Sequence, residues 1–319
     1  MVTPFFVNYL NGARVLTQQV LSRHNSLEEY PNCQGQVAIV TGGNKGIGLE
    51  TVRGLCRADV TVIMACRDAG AAREAIKQLK EEQPQANVEF MELDLGSLGS
   101  IQKFVNEFKK KGIPLHILVN NAGIMFPPYG TTEDGFERQF GVNHLGPFAL
   151  TNLLLDELIK SGSAQRRSRI VTLSSEAHAP GTINFEDLQS KIYYSPHLSY
   201  SQSKLANILF TYELDRRLKT RNSPVVVNAL HPGVVNTDLF QYVHWLVRIP
   251  QKLLANLFFM TPKQGADNSL YVALSPELEG TSGKYFVNCL PVKSSEETYQ
   301  EDLQRRLWKV SCKLTGIQD

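Results

Sequence analysis

The chain has 319 residues, 42% hydrophobic and 20% charged, with a formal charge of +2 from 33 Lys and Arg against 31 Asp and Glu. That composition excludes a disordered, collagen-like or coiled-coil chain. The balanced charge offers no concentrated basic face, so a nucleic-acid partner is not expected. At ~150 residues per domain the length allows two domains, although α/β folds of this size also occur as one. Five cysteines, Cys33, Cys56, Cys66, Cys289 and Cys312, form no C-x-x-C pair. An odd count without such pairs argues against a disulfide framework or a zinc site and reads as reduced, buried thiols. The chain also lacks an N-x-S/T acceptor, which together with the thiols points to a reducing compartment.

Near the N-terminus Phe5, Phe6, Tyr9, Leu10, Ala13, Leu16, Val20 and Leu21 recur at helical spacing, interrupted by Asn8, Asn11, Arg14, Gln18 and Gln19. The interruptions leave neither a spanning helix nor the apolar core of a signal peptide. An amphipathic helix is expected, lying on a membrane surface or packed on its own domain. Residues 22–35 read as a polar linker. Apolar runs of strand length then appear at Val37–Val40, Val60–Cys66, Val88–Leu93, Leu115–Val119, Ile170–Leu173, Val225–Leu230 and Tyr285–Leu290. Helix-length stretches lie between them, roughly 46–58, 69–83, 97–111, 133–160, 198–220 and 262–274. Runs without polar alternation suit strands covered on both faces. The alternation predicts an α/β fold with a single doubly wound, Rossmann-type parallel sheet of about seven strands. Residues 291–319 read as a C-terminal tail. Tyr242 to Met260 is unusually apolar, with only Arg248 and Lys252 charged. It follows the sixth strand on the ligand side of such a sheet, as a buried helix, a mobile lid or a lipid-facing surface.

The first strand runs into Thr41-Gly42-Gly43-Asn44-Lys45-Gly46-Ile47-Gly48, and a helix begins near Gly46. Glycines there let the backbone turn sharply and approach a pyrophosphate, and the helix N-terminus offers free N–H groups and a positive dipole. A Gly-rich turn alone is weak; directly after the first strand of an α/β pattern it is much stronger. The second strand ends at Arg67, 19 residues after Gly48. An acidic residue near this point binds a ribose 2′-hydroxyl, whereas an Arg accommodates a 2′-phosphate. Arg67 and Lys45 therefore favour NADP(H) over NAD(H). Asp68 reads as the N-cap of the helix that follows.

Tyr200-Ser201-Gln202-Ser203-Lys204 places Tyr and Lys one helical turn apart on one face. A free phenol has a pKa of ~10, too high for a base at neutral pH. A nearby ammonium favours the phenolate, so the expectation is a lowered Tyr200 pKa and a proton exchanged with an alcohol or carbonyl oxygen. Taken alone, the pair is weak, and a salt-bridging surface helix explains it better.

The T-G-x-x-x-G-x-G spacing, Asn120-Asn121-Ala122-Gly123 after the fourth strand, Ser174-Ser175 after the fifth, Tyr200 with Lys204, and His231-Pro232-Gly233 after the sixth occur in order. Over about residues 36–290 the chain resembles the short-chain dehydrogenase/reductase family. Residues 152–156 (NLLLD), 203–206 (SKLA), 232–238 (PGVVNTD) and Thr261-Pro262 resemble its retinol-dehydrogenase-like branch. The resemblance implies Tyr200 as acid/base, Lys204 as its modulator and ribose anchor, Ser175 as holder of the substrate oxygen, and Asn143 as support of a proton relay. It implies Asp94 beside the adenine, the backbone of Asn121, Ala122 and Gly123 against the cofactor, and Pro232, Gly233, Val235 and Thr237 facing the nicotinamide. It further implies a lipophilic alcohol/aldehyde pair as substrate, a polyprenol or dolichol type ahead of retinol or a steroid, and a homodimer. With the two apolar stretches, it implies peripheral contact with the cytosol-facing endoplasmic reticulum membrane or a lipid droplet. A dinucleotide-binding scaffold without catalysis is the competing class, and such proteins typically lose the Tyr or the Lys. A sugar-nucleotide epimerase also carries Y-x-x-x-K, but with a T-G-x-x-G-x-x-G cradle not present here.

Overall fold

The computed structural model describes residues 24–235 and 259–319. In chain order these form β1 (Val37–Thr41), α1 (Gly46–Arg57), β2 (Thr61–Cys66), α2 (Ala69–Glu82), β3 (Val88–Glu92), α3 (Leu98–Lys110) and β4 (Ile117–Asn120). One α turn (Arg138–Phe140) and a π turn (Gly141–Leu145) lead into α4 (Gly146–Ser161). Then come β5 (Ser168–Leu173), α5 (Pro196–Thr220), β6 (Val225–His231), α6 (Pro262–Leu274), β7 (Tyr285–Val287), β8 (Leu290–Val292) and α7 (Glu301–Thr315).

The strands lie in the order β3-β2-β1-β4-β5-β6-β7-β8. All neighbours pair in parallel except β7 with β8, which are antiparallel. Every residue of β1, β5 and β6 is buried, which is why they read as apolar runs rather than alternating ones. Successive side chains still divide between the two faces. Val40, Val62 and Met64 meet α1, α2 and α6 through Leu55, Leu79 and Leu270. Ile39, Ile63 and Leu118 meet α3, α4 and α5 through Phe104, Phe148 and Phe210. The strand order reverses between β1 and β4, and a doubly wound sheet opens its ligand crevice at the carboxyl ends beside such a point.

Three details depart from the sequence reading. The seventh run is a hairpin: β7 and β8 turn at Asn288 and Cys289, both with positive φ (51° and 62°). The sheet thus has eight strands instead of about seven. The helix expected from residue 133 starts at Arg138, because the Glu137 carboxylate accepts the Gln139 and Phe140 N–H groups at 2.9 and 2.7 Å and so caps it there. The tail contains α7, whose Trp308 ring stacks on Phe210 of α5 at 5.8 Å. The expected N-terminal amphipathic helix, and the 242–260 stretch except for Phe259 and Met260, lie outside the described residues.

Candidate active site

β1 delivers the chain to a loop that feeds α1. Gly42 and Gly46 have φ of 64° and 55°, a region costly for side chains with a Cβ. A Cβ on Gly48 would lie 2.2 Å from the Gly42 carbonyl oxygen and 2.5 Å from Asn121 Nδ2, so the loop folds tightly over the helix start. Asn121 Nδ2 donates to the carbonyls of Thr41 (2.7 Å) and Gly42 (3.3 Å). Thr41 Oγ1 accepts the N–H groups of Asn121 and Ala122, both at 3.0 Å. The turns after β1 and β4 are thus one braced unit. Lys45, the N-cap of α1, makes no side-chain cap bond, so the first N–H groups of that helix are not satisfied by a cap side chain.

At the end of β2, Asp68 caps α2 by accepting the Ala71 N–H at 2.9 Å. The Arg67 side chain is 68% exposed, and its Nη1 reaches Asp94 Oδ2 only at 3.9 Å. Asp94 Oδ1 accepts the Gly96 N–H at 2.8 Å, which fixes that carboxylate at the end of β3. Burial pushes the Cys66 thiol up to about 11, so it is no thiolate nucleophile.

The π turn places Asn143, 1% exposed, against the segment that follows β4. Its Oδ1 accepts the Ile124 N–H at 2.8 Å, and its Nδ2 donates to the Ile124 carbonyl and to Ser203 Oγ, both at 3.0 Å. A Cβ on Gly123 would lie 3.3 Å from Asn143 Oδ1 and 3.6 Å from Lys204 Nζ, so the two polar groups converge there. On α5, Lys204 Nζ lies 5.7 Å from the centre of the Tyr200 ring and donates to the Leu173 carbonyl at 3.2 Å. Ser174 Oγ donates to the Lys204 carbonyl at 2.7 Å and anchors the helix to the end of β5. Ser175 begins a 3-10 turn (Glu176–His178) and accepts the Ala177 N–H at 3.2 Å.

Burial raises Tyr200 to about 12, against a smaller downward pull from its hydrogen bond with Ser175. Burial also lowers Lys204 to about 8. This differs from the expected lowering of Tyr200 by the ammonium. Desolvation of the phenolate dominates, and the ammonium is turned toward the Leu173 carbonyl.

Thr41, Gly42, Asn44, Lys45, Gly46, Ile47, Gly48, Arg67, Asp94, Asn121, Ala122, Gly123, Tyr200, Lys204 and Pro232 all line one cleft of about 590 Å³. Ser175 and Asn143 are not among its lining residues, although their neighbours Ser174 and Val142 are. Gly233 follows Pro232 with φ 88° and does not line it. Val235 does not line it either, and its Cγ2 would be 2.6 Å from a Cβ on Gly265 of α6. Thr237 lies outside the described residues. Sequence reading missed Leu93, Ile124, Met125 and Pro262 in the lining. It also missed Phe126, whose φ of 58° is rare for a bulky residue. That backbone is held by Gln139 Oε1, which accepts its N–H at 2.9 Å. It turns the Phe126 ring edge-on to Tyr200 at 5.4 Å and against His197 at 4.1 Å.

The cradle fits a nicotinamide dinucleotide: the tight glycine approach leaves room for a pyrophosphate, and the cleft leads from Arg67 to Tyr200. Among the described residues, no group of His, Cys, Asp or Glu could hold a metal ion. Also among them, no helix is long and apolar enough to cross a membrane.

A family model described as short chain dehydrogenase matches residues 36–245. Human polyprenol dehydrogenase is 48% identical over 314 residues, 98% of this chain and 95% of the relative. Mouse retinol dehydrogenase 14 is 46% identical over 295 residues, 89% and 86% of the two chains. A crystal structure of an uncharacterised protein from Mycobacterium paratuberculosis is similar with a TM-score of 0.73 and 37% identity, over 92% of this chain and 98% of that one. The Pseudomonas aeruginosa RhlG/NADP complex shares the fold, with a TM-score of 0.66 and 23% identity over 82% and 97%. The chain therefore belongs to the short-chain dehydrogenase/reductase family, as an NAD(P)-dependent oxidoreductase of alcohols and carbonyl compounds.

Proposed function

We propose that the protein interconverts a lipophilic primary alcohol and its aldehyde, of the polyprenol/polyprenal or dolichol/dolichal kind, with NADP(H). The observation that carries this reading is the meeting of Tyr200, Lys204 and the Asn143-braced turn at one end of the dinucleotide cleft. A bound nicotinamide supplies or accepts the hydride. Tyr200 gives a proton to the carbonyl oxygen, or takes it from the alcohol. With its pKa raised, the phenol stays protonated at neutral pH and stands ready as the acid of carbonyl reduction. The Ser175 hydroxyl, bonded to Tyr200, holds the substrate oxygen. Lys204 supplies the positive charge that favours the phenolate form as oxidation proceeds, and anchors the ribose. Asn143 keeps the turn at Gly123 and Ile124 in place and supports the proton relay.

Backbone groups of Gly42, Gly46, Ile47, Gly48 and Ala122 would hold the pyrophosphate region, with Asn44, Lys45 and Arg67 toward the adenosine end. Asp68 is engaged in capping, which leaves Arg67 to meet a 2′-phosphate and favours NADP(H). Substrate class is supported by the curated relatives, polyprenol and retinol dehydrogenases, and by an aromatic wall beside Tyr200. In that wall Phe126 packs on His197, Tyr194 donates to the Pro127 carbonyl at 2.5 Å, and Tyr129 meets Tyr194 edge-on at 5.2 Å. Retinol/retinal is the second reading, favoured by the retinol dehydrogenase at 46% identity. Residues 36–290 act as one catalytic unit, with 1–35 as an arm and linker whose residues 5–21 contact the cytosol-facing endoplasmic reticulum membrane or a lipid droplet, while His24 is held by Asp267 at 2.7 Å and Cys33 is buried in the core. The protein works as a homodimer.

The test is an assay of the purified protein with NADPH or NADH against polyprenal, dolichal, retinal and a short aldehyde. The expected result is turnover of polyprenal or dolichal with NADPH preferred. Preference for NADH, or turnover of the short aldehyde alone, contradicts the proposal.

A further inference from the structure

His178 sits behind the site, only 2% exposed, at the end of the 3-10 turn that Ser175 begins. Its Nδ1 is 2.7 Å from the Ser175 carbonyl oxygen, and its Nε2 is 3.1 Å from the Ser295 peptide nitrogen. A carbonyl oxygen only accepts and a peptide N–H only donates. The two partners together therefore select one state, the neutral imidazole with its proton on Nδ1. The ring is fixed sideways by Tyr285, edge-on at 5.0 Å, and the Tyr285 hydroxyl donates to Glu176 Oε1 at 2.9 Å. Ser295 precedes the short turn Glu296–Tyr299 that leads into α7. The imidazole thus ties the backbone at Ser175 to a segment 120 residues further along the chain.

We propose that His178 is a positioning residue for the reaction, setting the Ser175 hydroxyl from the C-terminal segment through this two-ended strut. The proposal rests on the reading of Ser175 as holder of the substrate oxygen. Among the described residues the Ala177 N–H and Tyr200 orient Ser175 Oγ, and both contacts depend on where its backbone stands. A donor that must meet charge developing on an oxygen loses its effect when displaced by a fraction of an ångström. Loosening the strut lowers kcat and leaves cofactor binding in the cleft unchanged.

Two variants break the strut, one at both ends and the other at its Ser295 end alone. His178→Phe keeps a ring against Tyr285 and loses both bonds, while His178→Asn restores a donor toward the Ser175 carbonyl. Ser295→Pro deletes the N–H that meets His178: the φ of Ser295 is −61°, which proline adopts, and among the described residues its hydroxyl has no hydrogen-bond partner. Each is made in the wild-type and Ser175→Ala backgrounds, with kcat, KM for NADPH and melting temperature measured. The expectation is an about tenfold fall in kcat for His178→Phe and about fivefold for Ser295→Pro. KM for NADPH stays within about twofold, His178→Asn recovers most of the rate, and no further loss appears in the Ser175→Ala background. Losses that multiply with Ser175→Ala, or a lowered melting temperature with unchanged kcat in both variants, overturn the proposal alone. Wild-type turnover by Ser175→Ala overturns the serine reading itself, and the proposal with it.

Discussion

Asn143 grips the Ile124 peptide from both sides, accepting its N–H at 2.8 Å and donating to its carbonyl at 3.0 Å. The π turn opens the backbone of residues 141–145, and Asn143 also donates to Ser203 Oγ on α5. Loop, turn and catalytic helix therefore share one buried side chain. Asn143→Ala leaves the Ile124 N–H and carbonyl without this partner at a half-buried position beside the cleft. Each of the three lost hydrogen bonds is worth about 0.5–1.5 kcal/mol, so a stability loss of about 2 kcal/mol is expected in chemical denaturation, with turnover reduced. A midpoint equal to wild type would show that the grip carries no energy.

Lys204 offers a separation of stability from activity. Its pKa falls from 10.5 to about 8 because the ammonium is buried. Below pH 8 the folded state carries a desolvated charge that the unfolded state keeps in water, which destabilises the fold. Between pH 8 and 10.5 the unfolded state binds more protons, so that penalty is relieved as pH rises. Lys204→Met removes the charge at similar volume, and the Leu173 carbonyl keeps Asn207 Nδ2 at 3.1 Å. The variant is expected to lose turnover and yet be more stable than wild type at pH 7, on the order of 2 kcal/mol. The gap narrows toward pH 10. Thermal melts of both proteins at pH 7 and pH 10 check the sign, and a variant less stable at pH 7 refutes it.

The proposed preference for NADP(H) rests on Arg67. Its guanidinium is exposed and only loosely paired with Asp94, so it costs little to redirect toward a phosphate. Arg67→Ala should raise KM for NADPH about tenfold or more, the size of a lost charge-assisted hydrogen bond. KM for NADH should change little. Equal changes for both cofactors would remove Arg67 from the discrimination.

Gly48 tests the cradle independently of the chemistry. A methyl group there would meet the Gly42 carbonyl oxygen at 2.2 Å, and that atom is backbone, bound to Asn121. Gly48→Ala should push the loop out, weaken binding of both dinucleotides and lower the melting temperature. Tight binding of NADPH by this variant, measured by fluorescence quenching, would mean the loop yields at little cost.

The sequence carries the parts of the fold that depend on local pattern. The first six strands begin and end within one residue of their apolar runs, except at Leu115 and Ile170, where the difference is two, because burial of most of their positions leaves little that is polar to blur them. The hairpin at Asn288 and Cys289 is hard to read, since its strands have three residues each, the apolar run ends at the first residue of β8, and Asn288 is paired with a Cys instead of the usual Gly. α7 had a readable signal in Leu303, Leu307, Val310 and Leu314 at helical spacing, past the last family motif. Within the site, spacing placed Tyr200 and Lys204 on one face. It could not place Phe126, Ser203 or His178, whose contacts join residues 60 to 117 positions apart or depend on a positive φ. Nor could a motif show that burial would raise Tyr200 above an ordinary phenol.

The central claim is that Tyr200 exchanges the proton with the substrate oxygen at a site built to hold a nicotinamide dinucleotide. Tyr200→Phe removes one hydroxyl and keeps the ring that Phe126 meets edge-on. The direct measurement is polyprenal-dependent NADPH consumption alongside an NADPH binding titration on the same preparation. The account predicts turnover at least 10²-fold below wild type, as expected for a lost general acid, with NADPH affinity within about threefold, less than one lost hydrogen bond. Turnover near wild type with intact NADPH binding would contradict it.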